Sequence, residues 1–233
     1  MKITAITGTG VKGCTRAMMD TFLDAVRREG DEIAAFTLPQ DAPPYCLGCK
    51  TCFFHGEDKC PHADKVLPIW QSMLASDLIV LAYPVYALRA PAQVKALLDH
   101  LCVHWFVHRP DPRMFHKRAV ILTQAIGFIY RAAIRDTATS LSWLGVSDIG
   151  KLGAGLLEGV YWNELSEKRR GKITRRVQRL AAQYRTVRKP AMSLKVRMKF
   201  FVTMRMHRMF SKKQETLSRD DQYWVDTFFS KAR

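Results

Sequence analysis

The chain has 233 residues, of which 48% are hydrophobic and 10% aromatic, and this composition is typical of a folded globular protein rather than a disordered one. Its formal net charge of +16 is carried almost wholly by residues 166–233, which contain 20 Lys/Arg and 5 Asp/Glu. The preceding 165 residues are nearly neutral, so the charge does not indicate a nucleic-acid-binding body.

The N-terminal stretch MKITAITGTG has neither the long apolar region nor the cleavage site of a secretory signal. No apolar run approaches the roughly 20 residues that a membrane helix needs. A cytoplasmic protein is therefore expected. Thiols stay reduced in that compartment, so clustered cysteines indicate metal ligands rather than disulfides.

Short apolar runs alternate along the chain with longer segments whose apolar residues recur at helical spacing. The first strand is predicted at Lys2–Thr7; it ends in the glycine loop GTGVKGCT, and a helix then runs to Gly30. A second strand, EIAAFTL, precedes a loop rich in Pro and Cys from Pro39 to Pro61. A helix around 66–74 follows.

The second half continues the alternation. DLIVLAYP is the clearest strand, a continuous apolar run of the kind that a parallel sheet buries on both faces. The sequence then predicts a helix at 90–106, a strand at 118–124, a helix at 131–144, a weaker strand at 148–154 and a helix at 164–187.

Five strands that alternate with helices predict an α/β domain with a doubly wound, five-stranded parallel sheet. Ligands of such sheets bind at the carboxyl ends of the strands. The alternation ends at Lys189 and Pro190, so the predicted domain spans residues 1–188, and residues 189–233 form a basic C-terminal helical arm.

The loop GTGVKGCT lies between a strand and a helix, where backbone N–H groups and the helix dipole favour an anion. Its spacing is neither that of a nucleoside-triphosphate loop nor the GxGxxG of a dinucleotide site. A phosphate monoester is the better interpretation. The alternative is a tight turn that binds no ligand.

Three motifs, taken in order, resemble those of the flavodoxin-like NAD(P)H-dependent FMN reductases. GTGVKGCT resembles that family's phosphate loop, GSPRxGxS/T, and the segment from DLIVLAYPVY to KALLDHL resembles its aDxiilasPvY and lKxxiDR motifs. CLGCKTC is similar to the CxGCxxC of the iron–sulfur flavoprotein branch, and the later SLKVRMKF and DDQYW resemble that branch's tail. The resemblance covers residues 1 to about 155 and implies a flavodoxin-like fold.

The resemblance also implies three groups of FMN contacts. These are the phosphate loop (Thr9, Val11, Cys14 and Thr15), the turn after the third strand (Pro84, Val85 and Tyr86), and a third flavin loop from Thr123 to Gly127. The turn is expected to offer flat apolar surface and exposed N–H groups. The chain departs from the family pattern at three positions. It has Gly10 where the family has Pro, Cys14 where the family has Asn or Ser, and His100 where the family has Arg.

Four of the chain's six thiols lie within fifteen residues, at Cys46, Cys49, Cys52 and Cys60. CxxCxxC brings three sulfurs around one turn of chain, which suits three corners of a cubane, and Cys60 can supply the fourth. Structural zinc more often uses two separated CxxC pairs. A four-iron four-sulfur cluster is the first interpretation. Zinc and unligated thiols remain alternatives, and His55 or His62 could replace a thiolate.

Other residues have simpler interpretations. His100, His104 and His108 recur every four residues and could share a helix face as metal ligands, although a packed helix end is favoured. Cys102 is interpreted as a small buried apolar residue. Cys14 begins a helix, which would lower the pKa of its thiol.

The C-terminal arm mixes Met and Phe with Lys and Arg at nearly every second or third position. Packing over its own subunit or a neighbour is the favoured interpretation, with Met filling irregular gaps. Attachment to an anionic membrane surface is the alternative. Nucleic-acid binding is not expected, because the basic arm is not combined with a recognition helix or with an aromatic sheet face that could stack on bases. A homo-oligomer is implied by the resemblance.

Together these features predict an FMN oxidoreductase that takes hydride from NAD(P)H and passes electrons to an acceptor, such as a redox partner protein. An iron–sulfur cluster carries single electrons, so a cluster beside FMN would split the pair. The protein supplies binding and positioning, and no acid–base residue is assigned. The alternative is a non-catalytic flavin and iron–sulfur carrier that exchanges electrons only with protein partners.

Overall fold

The computed structural model describes residues 1–157, 159, 161–213 and 215–230. Five parallel strands form one sheet in the order β2-β1-β3-β4-β5. The strands are β1 (Lys2–Thr7), β2 (Glu32–Thr37), β3 (Leu78–Pro84), β4 (Arg118–Ile126) and β5 (Asp148–Leu156). This order is that of the flavodoxin-like doubly wound sheet, and the predicted fold class is confirmed.

The helices are α1 (Cys14–Val26), α2 (Thr51–Phe54), α3 (Ala63–Ala75), α4 (Ala92–His100), α5 (Arg131–Trp143), α6 (Glu167–Ala182), α7 (Leu194–Lys213) and α8 (Arg219–Trp224). The helix predicted at 90–106 is wrong in its length, because the chain tightens into a 3₁₀ turn at Leu101–His104. In the described part of the chain, no helix is both long and apolar enough to cross a bilayer.

Helices cover both faces of the sheet. On one face α1 and α6 pack through Phe22 and Val177. On the other, α3, α4 and α7 contribute Trp70, Leu97 and Val196 to a second core. Because β3 is buried at every position, ligands can approach the sheet only at its edges, and the carboxyl edge is the one that doubly wound sheets use.

The C-terminal arm packs on the domain of its own chain. Val196 belongs to the same core as α3 and α4, and Trp224 is fully buried, with its indole Nε1 donating to the carbonyl of His108 at 2.7 Å. Residues 189–213 and 215–230 are thus held against the sheet domain. Residues 214 and 231–233 of the predicted arm lie outside the described residues.

Candidate functional site

A cleft of about 290 Å³ lies at the carboxyl ends of β1, β3 and β4. Seven residues of the predicted FMN set line it: Thr9, Val11, Cys14, Thr15, Pro84, Val85 and Tyr86. Gln124 and Ile126, which lie in the predicted third flavin loop, line it as well, together with Tyr161, which the sequence did not indicate. The cleft thus joins the glycine loop to the turn after β3.

The glycine loop forms the floor of this cleft and starts α1. The first turn of a helix leaves its N–H groups without helical acceptors, and the first turn of α1 has no acidic side chain to occupy them. Thr9 Oγ1 accepts from the N–H of Val11 at 3.2 Å, which closes the loop on itself. The arrangement is one that binds an anion.

Thr15 carries the clearest signal for a ligand. Its side chain is buried, and Oγ1 has no hydrogen-bond partner among the described residues. A buried hydroxyl without a partner costs stability, and most such groups in native proteins are satisfied. Thr15 therefore lies ready to contact a group that enters the cleft.

In the turn after β3, two backbone N–H groups are already hydrogen-bonded within the protein. The N–H of Val85 donates to Gln124 O at 2.8 Å, and the N–H of Tyr86 donates to Arg89 O at 3.1 Å. The N–H groups expected to be exposed at these two residues thus already have backbone acceptors, because the turn closes as a small hairpin whose amides donate to β4 and to the turn itself. What it offers the cleft is side-chain surface, with Tyr86 half exposed.

Of the predicted third flavin loop, residues 123–127, Gln124 and Ile126 line the cleft. Thr123 lies fully buried inside β4, where its Oγ1 donates to Tyr83 O at 2.7 Å, and it does not line the cleft. Ile126, 77% exposed, borders the cleft instead. Gly127 follows with a φ of 73°, a value that favours glycine, and its N–H donates to Leu156 O at 2.8 Å.

Room for this segment comes from glycines in β5. A Cβ atom at Gly155 would lie 2.2 Å from the carbonyl oxygen of Gly127, and one at Gly153 would lie 2.1 Å from the ring of Tyr130. Both contacts are too short for any side chain. The small residues of β5 therefore allow the segment after β4 to lie against the sheet edge.

Burial disfavours the thiolate form of Cys14. Burial raises its pKa to about 11, and the negative charge of Glu164 adds to the effect. The expectation of a lowered pKa is wrong, because burial outweighs the helix N-terminus. Cys14 serves as a small core residue whose backbone belongs to the glycine loop.

The four clustered cysteines line a second, smaller pocket together with Cys102. It lies between the loop of residues 46–62 and the C-terminal end of α4, where Asp99 and His100 are also part of its wall. Cys46 and Cys49 are exposed, whereas Cys52 and Cys60 are half-buried. We call this the thiol pocket.

The thiols influence one another's protonation. The pKa of Cys52 is raised by burial and then by the nearby Cys60 and Cys46, while Thr51 Oγ1 donates to Cys49 Sγ at 3.3 Å and lowers the pKa of Cys49. Burial, with a smaller contribution from Cys52, raises the pKa of Cys102 to about 11. A bound cation or cluster would stabilise such thiolates together.

Arg109 fastens the thiol pocket to the rest of the molecule. Its buried guanidinium donates from Nη2 to the carbonyl of Cys52 at 2.6 Å and from Nε to Glu57 at 3.0 Å. It also forms an ion pair with Asp220 of α8. Nothing in the local sequence distinguishes Arg109 from the chain's other arginines.

The histidines near this pocket have separate partners. His100 lies 3.0 Å from His62 between ring nitrogens, and ligand atoms of these two residues and of Cys60 all lie within 4.8 Å of one another. His104 stacks on Trp70 with the ring centroids 4.1 Å apart. His108 bonds to Asp220 at 2.8 Å, so His100, His104 and His108 do not form one ligand set.

His104 makes the stability of the protein depend on pH. Burial lowers its pKa to about 4, whereas the unfolded chain has an ordinary histidine pKa near 6.5. As the pH falls through this interval the unfolded state takes up a proton first, so the folded state loses stability. In urea unfolding, the wild type should lose about 2 kcal/mol more than His104→Phe between pH 7 and pH 4.5. Equal losses would contradict the assignment.

The family model described as NADPH-dependent FMN reductase matches residues 1–155. The chain belongs to this family. It is accordingly an NAD(P)H-dependent flavin oxidoreductase, and the predicted enzyme class, FMN and nicotinamide are confirmed at the level of the family.

Curated relatives of this FMN reductase include an iron-sulfur flavoprotein from Archaeoglobus fulgidus, 27% identical over 166 residues, which are 70% of the chain and 73% of the relative. An iron-sulfur flavoprotein from Methanosarcina thermophila is 34% identical over 101 residues, 42% of the chain and 51% of the relative. The second match thus spans about half of that relative's length.

Solved structures show the same fold. The FMN-dependent NADH-azoreductase from Bacillus anthracis in complex with FMN superposes with a TM-score of 0.63 at 12% identity, over 80% of the chain and 100% of that structure. The NAD(P)H:quinone oxidoreductase from Methanothermobacter marburgensis gives a TM-score of 0.63 at 14% identity, over 80% and 98% of the two chains.

The residues of this FMN reductase fit the phosphate of FMN. The hydroxyl of Thr15, which has no partner among the described residues, and the first-turn N–H groups of α1 offer hydrogen bonds to an anion. Around Gly10 there is open space except toward Gln40, whose Nε2 would lie 3.0 Å from a Cβ atom at position 10. Tyr86 and Ile126 add exposed apolar surface beside the loop, as a flat ring system requires.

Replacing Thr15 with valine should separate folding from FMN binding. The FMN-free variant should be as stable as the wild type, or up to about 1 kcal/mol more stable, because a buried hydroxyl without a partner is removed. Its FMN dissociation constant should rise about 10- to 100-fold, the effect of one hydrogen bond to a charged group. Urea unfolding and flavin fluorescence titration measure the two quantities.

Thr137 provides the matched control, since its Oγ1 accepts a hydrogen bond from Tyr83 at 2.8 Å inside the core. Thr137→Val should therefore lose stability and keep its FMN affinity, the reverse of Thr15→Val. Weakened folding with unchanged FMN affinity in Thr15→Val would show that Thr15 is only a core residue.

Proposed function

We propose that this FMN reductase transfers electrons from a reduced nicotinamide nucleotide, by way of FMN and a four-iron four-sulfur cluster at Cys46, Cys49, Cys52 and Cys60, to an acceptor. The observation that carries the proposal is the convergence of these four thiols in one pocket beside the flavin-binding fold. The names of the iron-sulfur flavoprotein relatives support the same pair of cofactors.

Helix α4 connects the two sites. Near its N-terminus Gln93 donates to the carbonyl of Gly8 at 2.8 Å, where the glycine loop begins, and at its C-terminus Asp99 and His100 line the thiol pocket. His100 follows Gln93 by seven positions, which is about 10 Å along the helix axis. The cleft and the thiol pocket therefore lie at opposite ends of one short, buried helix.

The donor set of the thiol pocket fits a cluster. Thiolate sulfur is the ligand that iron–sulfur clusters take, and three of the four residues have the CxxCxxC spacing. The guanidinium of Arg109 lies on the carbonyl of Cys52 and brings positive charge close to ligands that are otherwise mutually repulsive. Cys60 with His62 and His100 is the competing ligand set.

In the cleft the chain's own residues bind and orient. The glycine loop and Thr15 would hold the phosphate, and Tyr86 and Ile126 would border the ring system and the approach of the nicotinamide. When bound, FMN accepts a hydride and an iron–sulfur cluster transfers single electrons. Tyr83 is buried beneath the cleft with its pKa raised by burial, so it does not act as a proton donor.

Anaerobic titration with NADPH tests the proposal. The protein should contain flavin, iron and sulfide, and should accept more electrons per chain than the two that FMN takes. An electron count of two together with absence of iron and sulfide would leave the FMN reductase and eliminate the cluster. Bound zinc would show that the thiol pocket is structural. Failure to oxidise NADPH, combined with reduction by ferredoxin, would favour an electron carrier.

A further inference from the structure

The outer face of α7 differs from the rest of the surface. Its inner face, which carries Val196, Thr203 and His207, is buried against the domain. On the opposite side large apolar residues are exposed at helical spacing: Leu194 at 75%, Met198 at 60%, Phe201 at 52%, Val202 at 62% and Met209 at 47%. We call these five residues, with Arg205, Arg208 and Lys212, the α7 outer face.

The cations of this helix surround its exposed apolar residues. At 100° of rotation per residue, Arg205 and Lys212 lie among the exposed apolar residues of the helix. Arg197 and Arg208 lie on one side of these apolar residues, and Lys195 lies on the other side. Arg205 lies 5.8 Å over the ring of Phe201. The sequence of Leu194–Lys213 contains seven Lys/Arg and no Asp or Glu, so no charge within the helix offsets them.

We propose that the α7 outer face docks on an anionic lipid bilayer. A helix with apolar side chains flanked by Lys and Arg lies in the interface of a membrane, where the apolar groups enter the headgroup boundary and the cations meet anionic headgroups. A contiguous exposed apolar patch of this kind marks an interaction surface rather than ordinary solvent exposure. The inner face meanwhile holds α7 on its own chain.

Charge complementarity decides against the other occupants. A second copy of the chain, related by a two-fold axis, would place cations opposite cations. A nucleic acid would meet the cations but would gain nothing from Leu194, Met198 and Val202 at the centre of the face. The neighbouring α5 and α7 lie over one face of the sheet, so docking there leaves the cleft at the carboxyl edge accessible.

Vesicle sedimentation of the full-length protein, with its FMN, tests the proposal. At 0.15 M salt the wild type should sediment with vesicles of equal parts phosphatidylcholine and phosphatidylglycerol, and not with phosphatidylcholine alone. Phe201→Ser/Val202→Ser and Arg205→Glu/Arg208→Glu should each weaken binding at least about tenfold. Unchanged FMN content and unfolding midpoint show that these surface variants are folded.

Arg175→Glu/Arg179→Glu is the matched control, because it changes net charge by the same amount at exposed positions of α6, on the opposite face of the sheet. It should retain vesicle binding. Equal weakening by this control would overturn the proposal in favour of non-specific attraction. Absence of wild-type binding to anionic vesicles would also overturn it, as would dissociation of an oligomer by Phe201→Ser/Val202→Ser in analytical ultracentrifugation.

Discussion

Replacing Arg109 with methionine should lower the free energy of unfolding by about 3 kcal/mol and release most of the iron that we propose for the thiol pocket. The guanidinium is buried, and its loss leaves Glu57 and Asp220 without their cation and the carbonyl of Cys52 without its donor. The cost lies at the lower end of that for breaking a buried ion pair, because both carboxylates keep partial contact with water. Urea unfolding and iron analysis measure the two effects.

Arg113 provides the comparison within the same loop. It pairs with Asp111 at 2.6 Å, but its side chain is 60% exposed, so Arg113→Met should cost between about 0 and 1 kcal/mol and retain the bound metal. If the Arg109 and Arg113 variants behaved alike in both measurements, Arg109 would not be the residue that connects the thiol pocket to α8. If Arg109→Met lost stability but kept its full iron content, Arg109 would stabilise the fold without being needed to retain the metal.

The fold and the glycine loop could be predicted because each depends on short-range sequence. A β-branched strand, a glycine loop and a helical repeat fix where GTGVKGCT lies relative to the sheet, and the apolar DLIVLAYP identifies the central strand. The strand order then brings Thr15 and Tyr86 to one cleft. Resemblance to a family identified the same residues from their motifs.

The rest of the cleft depends on distances that the sequence does not contain. Thr123 is inside the core and Ile126 at the cleft because β4 continues to Ile126, which only pairing with β5 reveals. Tyr161 enters from the segment after β5 and belongs to no motif. The amides of Val85 and Tyr86 are used by backbone acceptors whose positions follow from the closed turn.

In the thiol pocket, too, part of the site could be predicted from the sequence and part could not. Spacing identified four cysteines as a group, but the fifth thiol, Cys102, and the clamp, Arg109, are more than forty residues away in sequence from the others. Arg109 is indistinguishable in sequence from Arg113, since each lies beside prolines and an aspartate in the same loop. Burial alone separates them.

Replacing Cys52 with serine should remove most of the iron and sulfide, to below about one fifth of the wild-type content, while FMN remains bound. Cys52 is the half-buried member of CxxCxxC, its carbonyl is held by Arg109, and a serine hydroxyl is a poor ligand for iron. Electron uptake from NADPH should then fall to the two electrons of the flavin. Iron, sulfide and flavin analysis of anaerobically purified protein gives the result.

Cys102 is the control that the pocket itself supplies, because it lines the same space but lies on another segment, with its pKa raised to about 11 by burial. Cys102→Ser should keep the iron and the additional electron. Equal iron in the Cys52 and Cys102 variants would exclude Cys52 as a ligand. Loss of iron only in a His62 or His100 variant would instead assign the metal to the group that these two histidines form with Cys60, and the thiolates of CxxCxxC would then have no part in electron transfer.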